Sequence, residues 1–194
     1  MKLFQLIPNT MLMIFLLSSV VSAATYKIDP AHSSVGFAVK HLMISTVKGS
    51  FSDYQGTIHF DPNNLDQSKA EITIQAKSIN TGVPTRDTHL RNSDFFDVEK
   101  YPTITFQSKS LQKQNDQYLI IGDLSLHGVT KEIQIPLTIQ GPVASPFGTQ
   151  VIALEGKTTI NRQDFGVAWN KNLDQGGVMV SDDVTIEINV EAAQ

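Results

Sequence analysis

No cysteine occurs among the 194 residues of this chain. That excludes disulfide stapling, a lipid-modified N-terminal cysteine and thiol chemistry. Aromatic residues make up only 8 %, with a single tryptophan, which argues against the aromatic girdles of a small outer-membrane barrel. Cations do not outnumber anions: 15 Lys and Arg stand against 19 Asp and Glu. The basic surface that nucleic acid or anionic headgroups require is therefore missing. A Gly-x-Ser-x-Gly elbow, a His-Glu-x-x-His helix and a Gly-rich phosphate loop are all absent, so nothing supplies a catalytic nucleophile, a zinc centre or a nucleotide cradle. The five histidines, His32, His41, His59, His89 and His127, include no i, i+2 pair that a strand would converge on a metal. We expect no enzyme, no cofactor and no metal.

No apolar run reaches the ~20 residues of a spanning helix. The longest, at 11–21, follows Lys2 and precedes Val21-x-Ala23. This order is that of an export signal, residues 1–23, cut after Ala23 or Ala24. Residues 24–194 then form one domain, and loss of Lys2 takes the formal charge from −4 to −5.

What is present is alternation with a period of two. Ile133, Ile135, Leu137 and Ile139 share one parity, as do Val178, Val180, Val184, Ile186, Ile188 and Val190. Successive side chains of a strand point to opposite faces, so one face of the sheet is apolar and the other polar. We read eight strands, near 33–40, 47–60, 69–79, 103–109, 117–126, 132–140, 150–160 and 177–190. A parity change between Phe51 and Ile58 predicts a bend near Asp53-Tyr54, and His127-Gly128 predicts a tight hairpin. Residues 85–99 abandon the period and predict a short helical or turn-rich excursion across one end of the sheet, either a plug or a cap over a cavity mouth. Many short strands at regular spacing imply a sandwich or a barrel, and hairpins of one apolar parity favour the barrel. About eight strands enclose either a filled core or one small ligand.

The inward parity selects Val35, Phe37, Val39, Ile72, Ile74, Ile104, Phe106, Leu124, Ile135, Leu137, Val184 and Ile186 as lining, with Phe95 and Phe96 from the excursion. Three polar residues share that phase: His41, Arg162 and Asp182. They are either strand-end residues in surface ion pairs or a polar cluster for the head of an otherwise apolar ligand.

Four ordered stretches resemble the YceI family: Asp29-Pro30-x-His32-Ser33 with Phe37 and His41-Leu42; Arg86-Asp87-Thr88-His89-Leu90 through Asp97, then Tyr101-Pro102 and Phe106; Gly122 through Thr130; and Asn161-Arg162-Gln163-Asp164-Phe165-Gly166-Val167. The resemblance implies an all-β, eight-stranded antiparallel lipocalin-like barrel in the bacterial periplasm. It also implies that the barrel interior binds a polyisoprenoid, an isoprenoid quinone or another long-chain fatty amphiphile. It brings no catalytic residues. The expected role is carriage or buffering of a lipid without stable membrane insertion, and a homodimer is admitted. The alternatives are a small outer-membrane barrel and an enzyme of isoprenoid or stress metabolism using the same cavity.

Overall fold

Period two yields strands at all eight expected places, and two of the eight, those at 47–60 and 69–79, are broken in the middle; the stave that holds the strand at 33–40 is broken too, just before it. The computed structural model describes residues 23–174 and 176–194; the expected export signal lies, up to residue 22, outside them. The elements run β1 (Ala24–Ile28), β2 (Ser34–His41), β3 (Ser45–Phe51), β4 (Tyr54–Phe60), β5 (Lys69–Gln75), β6 (Ile79–Asn80), α1 (Pro84–Arg91), β7 (Thr103–Gln114), β8 (Gln117–Leu126), β9 (Val129–Ala144), β10 (Gln150–Asn161) and β11 (Val180–Ala193). All pairings are antiparallel, in the order β1-β4-β5-β7-β8-β9-β10-β11, and β1 closes the ring onto β11. The result is a closed eight-stranded barrel. β2 continues β1 along the same edge of β11, β3 pairs with β2 above the β1–β4 pair, and β6 touches the end of β3.

The breaks have local causes. Between β1 and β2, Pro30 has no N–H to give a ladder. Asp29 caps the following 3₁₀ turn, accepting the Ala31 N–H at 2.9 Å and lying 2.8 Å from His32 Nδ1. Ser33 Oγ then donates to the Glu191 carbonyl and accepts the Glu191 N–H, at 3.1 and 3.0 Å, which ties the break to β11. The bend expected near Asp53 faces a second break at Ala76–Ser78: Gln75 N–H donates to Asp53 O at 2.8 Å, and Ser52 N–H to Ser78 O at 3.3 Å. β1 was not expected, and β7 and β9 run further than their sequence patterns, to Gln114 and Ala144.

The Asp29–His32 pair makes the first break sensitive to pH. The hydrogen bond from His32 holds the Asp29 carboxyl below its ordinary value, and the same bond raises the His32 imidazole. A lowered carboxyl contributes stability above its ordinary pKa and loses it as pH falls through the lowered one. A raised imidazole contributes below its ordinary pKa and loses it as pH rises through the raised one. Both contributions are therefore present together at about pH 4.5–6. Asp29→Ala should lower the urea midpoint most near pH 5 and less at pH 9; equal losses at the two pH values would show that the pair carries no charge-linked stability.

Tyr26, Phe60, Ile152, Val190 and Ala192, each at most 3 % exposed, pack the end of the barrel where β1 begins and β11 ends. Phe60 meets Tyr118 edge-on there, with ring centroids 6.3 Å apart. Outward positions on β9, β10 and β11 carry Glu132, Gln134, Glu155, Lys157, Glu187 and Asn189. A barrel facing hydrocarbon needs the reverse arrangement.

Candidate functional site

Above this packed end the barrel is hollow. A cavity of about 200 Å³ runs up its axis, and on β11 its wall extends from Val190 to Val180. Ten residue steps of an inclined barrel strand span about 25 Å. The space has the proportions of a chain rather than of a ring system. Its wall is apolar except for Arg162.

All fourteen expected lining residues border this tunnel, twelve chosen by parity and two from the excursion: Val35, Phe37, Val39, Ile72, Ile74, Phe95, Phe96, Ile104, Phe106, Leu124, Ile135, Leu137, Val184 and Ile186. Several of them, including Phe37, Val39, Ile72, Ile74, Val184 and Ile186, are only half-buried although they point inward. The tunnel, not the outside solvent, leaves them uncovered. Ile133, Ile160, Ile188 and Val180 also border it, and the same parity would have found them. Leu90 borders it from a helix and carried no period-two signal.

The excursion at 85–99 is a cap, and its core residues are also wall. α1 begins with Pro84, whose fixed φ and missing N–H suit a first helical turn. Three side chains rivet it to the preceding chain. Buried Asp87 accepts the Thr81 N–H at 2.9 Å and the Thr81 hydroxyl, and Arg86 Nη2 donates to Thr81 O at 3.0 Å. Arg91 donates to Lys77 O and Ile79 O at 2.7 and 2.8 Å. The Thr81 hydroxyl holds the Asp87 carboxyl below its ordinary value. Leu90, Phe95 and Phe96 then face the tunnel. His89, paired to Asp94 at 3.0 Å, stands edge-on to Phe95 and to Trp169 at 5.0 and 5.1 Å. Trp169, which sequence reasoning missed, therefore joins the cap to the loop between β10 and β11.

The three polar candidates do not form a head-group cluster. His41, the last residue of β2, sits opposite Val180 at the rim and is not part of the tunnel wall. Asp182 falls in a register shift between Val180 and Val184, so the parity of β11 does not carry through it, and its side chain is 41 % exposed. Arg162 does reach the tunnel, but its guanidinium is spent on the protein. Nε donates to Ser181 O (3.0 Å), Nη1 to Val167 O (2.6 Å) and Trp169 O (2.9 Å), and Nη2 to Val180 O (3.4 Å) and Asp182 Oδ1 (3.2 Å). Five acceptors match the five N–H groups that an arginine has. Burial pushes the guanidinium below its ordinary pKa, yet a group of this kind stays charged. Arg162 is the clip of the loop 162–181.

The four motifs are accounted for as fold devices. The first makes the β1–β2 break, the second rivets the cap, the fourth supplies the Arg162 clip. The third makes the β8–β9 hairpin, where His127 and Gly128 adopt φ of 52° and 77°, and the His127 ring lies 4.6 Å from Tyr101 with Nδ1 3.2 Å from Phe165 O. The first motif also gathers Asp29, His32 and Glu191, whose ligand-type atoms lie within 4.8 Å of one another. Local spacing could not reveal this group, because Glu191 arrives from the last strand.

Comparison with known proteins agrees with this architecture. The YceI-like domain model matches residues 26–192. The chain is 38 % identical over 167 residues to UPF0312 protein SA2479 of Staphylococcus aureus (strain N315), spanning 86 % of this chain and 95 % of that one. Its structure is similar to that of the YCEI protein of Campylobacter jejuni, with a TM-score of 0.69, 38 % identity and coverage of 86 % and 95 %. It also shares the fold of a polyisoprenoid binding domain from Saccharophagus degradans implicated in plant cell wall breakdown, with a TM-score of 0.66, 20 % identity and coverage of 86 % and 97 %. With the family model running from Tyr26 in β1 to Ala192 in β11, the chain belongs to the family of YceI-like domains.

Proposed function

We propose that this barrel holds a polyisoprenoid or other long-chain amphiphilic lipid in its tunnel and carries or buffers it in the periplasm. The observation that carries the reading is the wall: a passage bordered by some thirty residues of which Arg162 alone is charged, and that one engaged. Such a passage has little to offer a polar solute. An isoprenoid or acyl tail gains ~0.8 kcal/mol per CH₂ on leaving water, and nearly nothing on leaving a membrane. A protein of this kind therefore exchanges its lipid with a bilayer rather than keeping it. With no free donor in the wall, selection rests on the width and length of the tail. The fold it shares with a domain described as polyisoprenoid-binding is consistent with this reading.

The test is native mass spectrometry of protein produced with its export signal and released by osmotic shock. The expected spectrum contains a lipid adduct, and delipidated protein takes up an added isoprenoid quinone or fatty amide. Protein that always emerges empty and takes up neither would end the proposal, and recovery only from detergent-solubilised membranes would refute the location.

A further inference from the structure

Five large apolar side chains stand exposed among the described residues, and they are not scattered. Val143 and Phe147 lie on the β9–β10 hairpin, at the packed end. Met43, Ile44 and Val83 lie at the capped end, exposed by 53 %, 81 % and 41 %. Met43 and Ile44 form the tip of the β2–β3 hairpin, and Val83 immediately precedes α1.

The tip is built in an unusual way. Leu42 and Met43 have φ of 50° and 62°, and the turn closes with the Ile44 N–H on His41 O at 3.2 Å. A turn with positive φ at both central residues strongly prefers Asn-Gly. Here two apolar residues occupy those positions, in a backbone region that their side chains disfavour. As a mere connection the turn is poorly chosen; as a way to present apolar side chains outward, it serves.

The tip is also continuous with the tunnel. Val39, three residues before Leu42, is tunnel wall, and so is Val180, opposite His41. The Leu42 N–H donates to Met179 O at 2.8 Å, and Met43 leans on Gly177 in the loop that carries Trp169. Trp169 in turn touches the Phe95 ring of the cap at 5.1 Å. Between tip and cap, β3 from Ser45 to Gly49 pairs with β2 alone among the described residues, because β6 reaches only Ser50 and Phe51. The wall is one strand short there.

We infer that the Met43–Ile44 tip and Val83 are the surface by which the barrel rests on a lipid bilayer while its lipid passes through the rim between the tip and the cap. This rests on the reading of the tunnel as a lipid site: a ligand that leaves a bilayer must leave it where the rim touches. The charges at the tip do not call for anionic headgroups. Lys40 and Lys48 flank it, and Lys48 already faces Glu187 at 3.8 Å. Insertion of apolar side chains carries the contact, so zwitterionic phosphatidylcholine suffices and salt matters little.

The experiment uses three proteins: wild type, M43S/I44S, and V143S/F147S as the opposite-end control. A fluorescent geranylgeraniol is offered either dissolved below its aggregation limit or held in phosphatidylcholine vesicles. All three are expected to bind the dissolved probe equally. Loading of M43S/I44S from vesicles is expected to slow by about tenfold or more, the factor for losing burial of two apolar side chains, and the control should load as wild type does. Equal rates from vesicles for all three, or equal slowing of tip variant and control, would overturn the proposal. So would a wild-type dimer that M43S/I44S converts to monomer, since the tip would then face a second copy. Failure of all three to bind the dissolved probe would instead overturn the lipid reading and this inference with it.

Discussion

The double variant Ile72→Phe/Val184→Phe is expected to lose lipid loading about 200-fold with little loss of stability. Both residues border the tunnel, one on β5 and the other on β11, and both are half-buried because the tunnel leaves them uncovered. In a filled core, extra carbon would force its neighbours aside at a cost of 1–3 kcal/mol. Here the added rings enter space that is free. Together they deny the ligand burial of about four methylenes, or roughly 3 kcal/mol against water, and each 1.4 kcal/mol is a factor of ten. The matched control moves each ring by one residue. Thr73→Phe and Thr185→Phe place it on the outer face, and loading should not change. Titration with the fluorescent geranylgeraniol, together with a thermal melt, reads both effects. If the inward pair binds like wild type, the ligand lies elsewhere.

Arg162→Met should lower the melting temperature by about 10–15 °C. The side chain is 6 % exposed, and its removal takes away the donors of the Val167, Trp169 and Ser181 carbonyls and the ion pair of Asp182, while the Val180 carbonyl keeps Asn170 and the Asp182 carboxylate keeps Gln163. Breaking a buried charged network by deleting one partner costs about 3–5 kcal/mol, and a domain of this size loses about 2–4 °C per kcal/mol. Arg162→Lys should recover less than half of the loss, because one ammonium group cannot reach five acceptors spread around a planar fork. Trp169 is the single tryptophan of the chain and sits in the clipped loop, so its fluorescence should shift to the red as the loop loosens. A variant that melts like wild type and leaves Trp169 unshifted would show that the guanidinium is not structural, and would return it to the candidates for a head-group contact.

The barrel wall was legible in the sequence because its signal is local. Parity along β2, β5, β7, β8, β9 and β11 is decided by neighbours two residues apart, and every apolar residue chosen on that basis borders the tunnel. β1 was not legible: small Ala24 with Tyr26 and Ile28 are all that point inward along it, too short a run to count a period. The polar candidates failed for two different reasons. Parity is a statement about a regular strand, and the register shift at Val180–Val184 removes Asp182 from it, while His41 keeps its phase but lies past the end of the tunnel. Arg162 was found by parity, yet its partners are mostly main-chain carbonyls, which every residue carries and no residue type announces. Trp169 and the Glu191 end of the first motif were hidden because their contacts span long stretches of chain.

The closure of the barrel sets an order on its assembly. Every other pairing in the ring joins staves that are neighbours in the chain, but β11 must meet β1 and β2, pairing Ala192 with Ile28 and Val184 with Val39. A chain that appears N-terminus first, from a ribosome or through a membrane pore, can form its hairpins as they emerge, whereas the ring waits for its last fourteen residues. Until then both outer staves are open edges and the apolar parity is uncovered. The barrel thus stays unclosed until β11 is made, and a truncation of β11 removes the seam that makes an interior at all.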